Sequence, residues 1–326
     1  MTHPLIEKEV VLVLLGPTGV GKTAVSRALA QRLPVEIVSA DSRQIYRYMD
    51  IGTDKPDAEF RARVPHHFVD MLPPDVTFSA GEFAHQARWV IQNLLKKKVL
   101  PLVVGGSGLY IRALLEGFFE GKAKDEALRQ QLEAKARTEG AEVLYQELKM
   151  VDPESAMKIH PHNIKRVIRA LEVYYLTGQP ISYWHRRRDP APFPYIKIGL
   201  SMDRAALYAR INQRVEQMFD AGLIEETRRL LAMGYSPQLN ALNTVGYKEV
   251  VQFLNDEIDL YTCVERVKRN TRRYAKRQFT WFRAEKSVHW IHLPQNYDPT
   301  IVANEILSLV DQVQPVMPRS MERERE

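Results

Sequence analysis

Cysteine is nearly missing from this chain of 326 residues: Cys263 is the only one. An intramolecular disulfide is therefore impossible, and no zinc site can be assembled from thiolates. Long apolar runs are missing too. The first hydrophobic stretch, Val10 to Leu15, follows Glu7, Lys8 and Glu9 and is too short for a secretory signal or a membrane span. These absences predict a cytoplasmic protein with no membrane association. No internal repeat stands out. Hydrophobic residues make up 45% and charged residues 26% of the chain, which excludes disordered and fibrous classes and allows one large or two medium cores.

What is present in excess is positive charge. A formal net charge of +6 is compatible with an anionic partner but does not by itself require one. The cations cluster at Lys96 to Lys98, at Arg186 to Arg188 and from Arg266 to Arg283. The first cluster closes a predicted helix, where cations complement the helix dipole and need no nucleic acid. In the third, Arg269, Arg272, Arg273, Lys276, Arg277 and Arg283 interleave with Phe279, Trp281 and Phe282 on a long predicted helix, Thr262 to Phe282. Cations for phosphates beside aromatics for stacking suit RNA contact; the alternative is a solvated face above core aromatics.

Periodicity predicts strands at Val10–Leu15, Val35–Ser39, Val99–Val104, Tyr195–Leu200 and Val288–Leu293. Helical spacing runs through Thr23–Arg32, Ala84–Lys97, Asn163–Leu176, Leu207–Asp220 and Leu223–Met233. Strands alternating with helices imply an α/β fold with a parallel sheet covered on both faces. From Asp125 to about Leu148 the chain is charged and helix-favouring, and Arg186 to Pro194 reads as a basic, proline-rich linker. Residues 121–194 therefore form a predicted helical insertion in a core built from 1–120 and 195–315, and 316–326 a flexible tail.

Gly16-Pro17-Thr18-Gly19-Val20-Gly21-Lys22-Thr23 matches G-x-x-x-x-G-K-[ST], after a strand and before a helix. Glycines let successive N–H groups face inward, Lys22 adds a charge for the outer phosphates, and the Thr23 hydroxyl is a candidate Mg²⁺ ligand. The loop says polyphosphate without saying nucleotide. A phosphohydrolase or kinase needs a further acid at a strand end, for which Asp70 and Asp41 are candidates. Asp54-Lys55-Pro56-Asp57 superficially matches a guanine-reading N-K-x-D but lies too close to the phosphate loop. His66-His67 as neighbours on a strand would point to opposite faces, against a shared metal. On position alone, Asp41 serves equally as metal ligand, helix cap or base, and spacing alone puts Arg214 on a solvated helix face.

Asp41-Ser42-Arg43-Gln44-Ile45-Tyr46 is followed by Met49 to Thr53 and by Lys55-Pro56. Further along come Gly105-Gly106-Ser107-Gly108-Leu109-Tyr110, Arg169 to Val173, Val245-Gly246-Tyr247-Lys248-Glu249, and Lys276-Arg277-Gln278 through Thr280-Trp281. With the phosphate loop, this series resembles the tRNA dimethylallyltransferases (tRNA isopentenyltransferases) over nearly the whole chain. The resemblance is to the bacterial type, since a single cysteine excludes the zinc finger of eukaryotic relatives. Gly19, Val20 and Ser107 stand at positions that vary in the family, and none removes a needed group.

The resemblance implies that the loop holds dimethylallyl diphosphate with Mg²⁺. It makes Asp41 the general base and Arg214 a diphosphate contact. Its acceptor is the adenosine immediately 3′ of the anticodon, flipped into a closed channel from the side opposite the small substrate. Implied contacts with the tRNA anticodon stem-loop are Asp41, Ser42, Arg43, Gln44, Ser107, Arg129, Lys165, Arg166, Arg169, Asn243, Thr244, Val245, Gly246, Tyr247, Lys248, Lys276, Arg277, Gln278 and Arg283. A monomer without an obligate protein partner suffices. Two other readings stand beside this one: an isopentenyltransferase acting on free adenylate, and an ATP-dependent, RNA-binding kinase or NTPase module.

Overall fold

The computed structural model describes residues 3–117, 125–187 and 189–318. Gly121, where the composition shifts, Arg188 of the basic cluster and residues 319–326 of the charged tail lie outside the described residues. The described chain forms two compact units, Met1–Leu115 with Ala191–Glu326, and Glu116–Pro190.

The larger unit is built on one sheet of six strands: β1 (Val11–Leu15), β2 (Val35–Ser39), β3 (His66–His67), β4 (Leu100–Gly105), β5 (Tyr195–Met202) and β6 (Val288–Leu293). Their order is β3-β2-β4-β1-β5-β6, and every pairing is parallel. A parallel sheet carries helices on both faces, so its central strands must be apolar at every position. β1 is buried along its whole length for that reason. Val11, Val13 and Leu15 join the cluster of Phe83, Ala87, Ile91 and Tyr110, while Leu12 and Leu14 join Val25, Leu29, Ile198 and Ile306. Alternate residues thus feed opposite faces.

Local chemistry sets the helix ends. Ala80–Lys96 starts earlier than periodicity suggests because Ser79 caps it. The Ser79 hydroxyl accepts from the Glu82 N–H at 3.1 Å, and the Glu82 carboxylate accepts from the Ser79 N–H at 2.7 Å. The helix-favouring stretch from Asp125 forms two helices, Glu126–Thr138 and Ala141–Val151, separated at Gly140 with φ +95°. Tyr247–Leu254 and Pro299–Gln312 are helices that periodicity did not single out. The expected tail does not begin free at 316: Val316 exchanges both backbone hydrogen bonds with Tyr195, at 2.9 and 3.2 Å.

The smaller unit is helical, closed around Leu132, Leu144, Leu148, Val167, Ile168 and Leu171. Its buried Glu172 accepts from Arg129 at 2.8 Å and from Arg169 at 2.9 Å.

Candidate functional site

Gly16 to Thr23 leave the carboxyl end of β1 and enter the helix Lys22–Ala30. The curl needs positive φ at Gly19 (+82°) and Gly21 (+111°), which side chains rarely tolerate. A Cβ on Gly21 would also stand 1.7 Å from the Tyr297 hydroxyl. Lys22 Nζ donates to the carbonyls of Gly16 and Pro17, both at 2.9 Å. Burial pulls its ammonium down to about 8 from the usual lysine value; Asp41 opposes that shift, and Arg214 adds to it.

The helix Arg204–Asp220 brings two arginines to this loop from one face. Arg210 Nε donates to the Gly19 carbonyl at 3.2 Å, and one turn on Arg214 Nη2 donates to Thr18 Oγ1 at 2.8 Å. Arg214 Nη1 pairs with Asp54 at 2.7 Å, while its Nε is buried without a partner among the described residues. An unmet donor beside a phosphate loop suits an anion. Arg214 is therefore not the solvated residue that spacing alone suggested. Asp54, set aside in the sequence as a chance motif, is its ion-pair partner.

Asp41 lies two residues beyond Ser39, the last of β2. Its Oδ1 accepts from the N–H of Arg43 at 2.8 Å and of Gln44 at 3.4 Å. One oxygen thus does the capping work, and the carboxylate is held fixed by backbone. Tyr274 stands beside it: burial first and the Asp41 charge second push its phenol up to about 12.

Two cavities share a wall made of Thr18, Asp41, Thr53, Asp54, Arg214 and Tyr274. One continues along the phosphate loop over Gly19, Gly21, Lys22, Thr23 and Gln44. The other opens over Ser42, Arg43, Asn243, Thr244, Val245, Lys248 and Arg277. Asp41 faces both. Ser107 sits close by, accepting from the Ser42 N–H at 3.1 Å.

Other residues singled out in the sequence stand elsewhere. Gly246 and Tyr247 are buried and line neither cavity. Gln278 lines the loop cavity, but its amide is engaged, accepting from the Thr18 N–H at 2.8 Å and donating to the Gly106 carbonyl at 2.9 Å. Lys276 and Arg283 line a separate cavity with Tyr208, Trp290 and His292. On the helical unit, Lys165 and Arg166 are exposed, and Arg129 and Arg169 converge on Glu172. Asp70 is taken up by Lys55 and Arg61 and does not line the loop cavity. Tyr274 and Arg210 were not anticipated. Their signal was helical register: Arg210 precedes Arg214 by one turn, and Tyr274 precedes Gln278 by one turn.

Among the described residues no cluster of three or more His, Cys, Asp or Glu could hold a metal ion. The donors present, the Thr23 hydroxyl and the nearby Asp41 carboxylate, suit a hard cation that arrives with phosphate oxygens and keeps its waters. Among the described residues no helix is long and apolar enough to cross a membrane.

A parallel sheet with a glycine loop at its first strand, two arginines on that loop and a fixed carboxylate beside it defines a phosphate-loop protein. Two family models match: IPP transferase over residues 44–285 and Isopentenyl transferase over residues 9–70. A tRNA dimethylallyltransferase from Natranaerobius thermophilus is 42% identical over 313 residues, covering 95% of this chain and 94% of its own. The full-length tRNA isopentenylpyrophosphate transferase of Bacillus halodurans superposes with TM-score 0.70 at 40% identity, covering 94% and 96% of the two chains. A eukaryotic dimethylallyltransferase, described as acting on tRNA, superposes with TM-score 0.80 at 26% identity, covering 95% and 81%. The chain belongs to the tRNA dimethylallyltransferase family.

Proposed function

We propose that this protein is a prenyltransferase that moves the dimethylallyl group of dimethylallyl diphosphate onto the exocyclic amine of the tRNA adenosine immediately 3′ of the anticodon. The observation that carries this is Asp41, fixed by backbone on the wall common to a phosphate-loop cavity and a basic, polar one. Relatives named for this activity, one described as acting on tRNA, support it.

In the reaction the bond between the allylic carbon and the diphosphate oxygen breaks as a carbon–nitrogen bond forms. The adenine amine is a weak nucleophile because its lone pair is delocalised into the ring. Asp41 takes its proton as the new bond forms. Charge gathers on the leaving diphosphate, where Lys22, Arg214 and the N–H groups of Gly19 and of Gly21 to Thr23 oppose it. The Thr23 hydroxyl would hold Mg²⁺, which would supply further positive charge at the diphosphate. An allylic carbon with cation character is captured by water, so the site must exclude it.

The acceptor enters through the second cavity, flipped out of its stack. Ser42, Arg43, Asn243, Thr244, Val245, Lys248 and Arg277 surround it there, with Ser107 behind Ser42. Lys276 and Arg283 on the long helix, and Arg129, Lys165, Arg166 and Arg169 on the helical unit, hold the stem-loop backbone. Gln44, Gly246, Tyr247 and Gln278 serve through the segments they order.

The test is label transfer. The protein is incubated with labelled dimethylallyl diphosphate, Mg²⁺ and either an anticodon stem-loop or AMP, with ATP consumption followed in parallel. Label on the stem-loop alone is expected. Label on AMP but not the stem-loop, or ATP consumption that dimethylallyl diphosphate fails to inhibit, rejects the assignment.

A further inference from the structure

Glu226 is 3% exposed, yet among the described residues all four donors to its carboxylate are neutral. It accepts from the backbone N–H groups of Asp50 and Ile51, both at 2.9 Å, and of Gly52 at 3.2 Å. The Tyr247 hydroxyl donates the fourth bond at 2.6 Å. Burial first, and then the Glu226 charge, hold that phenol well above its ordinary range, so it remains a donor. A buried carboxylate is costly unless its lone pairs are met, and here successive amides of one segment meet them. Gly52 is part of the same arrangement: a Cβ there would stand 2.4 Å from the Tyr247 ring.

The clamped segment leads straight into the site. The Asp54 N–H donates to the Ile51 carbonyl at 3.0 Å, the Asp54 carbonyl accepts from Gln44 Nε2 at 3.1 Å, and φ at Asp54 is +53°. From that position the Asp54 carboxylate holds Arg214 Nη1 at 2.7 Å, leaving the buried Nε unmet. The path is continuous: Glu226 fixes three amides, these fix Asp54, and Asp54 fixes the guanidinium.

We propose that Glu226 is a positioning residue, which aims Arg214 at the diphosphate by clamping the Asp50–Gly52 amides and so setting where Asp54 stands. This rests on Arg214 contacting the diphosphate.

A double-mutant cycle tests it. Glu226→Gln keeps the size but sets an NH₂ among amide donors; Tyr247→Phe removes a single hydrogen bond and keeps the ring. Both are assayed for kcat and for KM toward dimethylallyl diphosphate and stem-loop, alone and combined with Asp54→Asn. We expect Glu226→Gln to lower kcat/KM for dimethylallyl diphosphate by about 10- to 100-fold, the scale of a misplaced site group. KM for the stem-loop should hold, and the loss should shrink to under about twofold in the Asp54→Asn background, as coupled residues require. Tyr247→Phe should follow the same pattern more weakly, and it carries the test alone if Glu226→Gln does not fold. Losses that multiply with Asp54→Asn, or a lower Tm with unchanged dimethylallyl diphosphate parameters, overturn the proposal. Arg214→Ala separates the two ideas. If that variant binds dimethylallyl diphosphate normally, the reading of Arg214 fails; if it does not while the cycle is additive, only the role of Glu226 fails.

Discussion

At the scale of single residues, the proposed chemistry turns on Lys22 and Asp41. Lys22 sits among loop carbonyls, and burial brings its ammonium down to about 8. In the free protein it therefore loses its proton as pH rises through that value, whereas a bound diphosphate favours the charged form. Binding must then take up a proton, and affinity for dimethylallyl diphosphate should fall above about pH 8. Titration calorimetry in buffers of different ionisation heat reads the uptake. Lys22→Arg, charged at all accessible pH, should flatten the profile, and an unchanged slope would remove Lys22 as its source. Asp41→Ala should cut turnover by roughly a hundredfold or more while stem-loop affinity stays nearly intact. Turnover at the wild-type rate would take the base role from it. Asp41 and Arg214 could be picked out in the sequence because they fall within recognisable segments. Asp54, Tyr274 and Glu226 could not, since each acquires its meaning from a partner far along the chain: Arg214, Asp41 and the Asp50–Gly52 amides.

At the scale of elements, the long helix Leu260–Arg283 divides its faces cleanly. Cys263, Val267, Thr271, Ala275, Gln278 and Phe282 are buried, while Arg269, Arg273, Lys276, Arg277 and Arg283 are exposed. Trp281 is not part of the exposed stripe; Arg112 stacks on it at 4.3 Å, and its ring lies against Gly108. The RNA reading of this helix came from its charge density, but the aromatics there serve packing as well. Replacing Arg273 or Arg277 with alanine should weaken stem-loop binding and reduce the salt slope by roughly one for each phosphate no longer neutralised. Binding measured across a salt series checks this, and an unaltered slope would make the stripe a solvated surface. Element boundaries were less legible than element types. β6 stands where the apolar run put it, but the helix from Ala80 begins at a cap rather than at its first periodic residue, and the helix-favouring stretch from Asp125 is divided at Gly140.

At the scale of the whole molecule, alternating strands and helices were enough to predict a parallel sheet. The order β3-β2-β4-β1-β5-β6 was not, because periodicity reports which face a residue occupies and says nothing of neighbouring strands. That order matters for function. It sets β4 between β1 and β2, so the phosphate loop, Asp41 and the Gly105–Ser107 turn gather at one sheet edge. The most direct measurement of the central claim is a crystal structure with a non-reacting thiodiphosphate analogue of dimethylallyl diphosphate and an anticodon stem-loop. We predict diphosphate in the Gly16–Thr23 loop and the adenine amine within hydrogen-bond distance of Asp41. An Asp41 carboxylate turned away from that amine, or a loop that takes a nucleoside triphosphate in preference to the analogue, would contradict it.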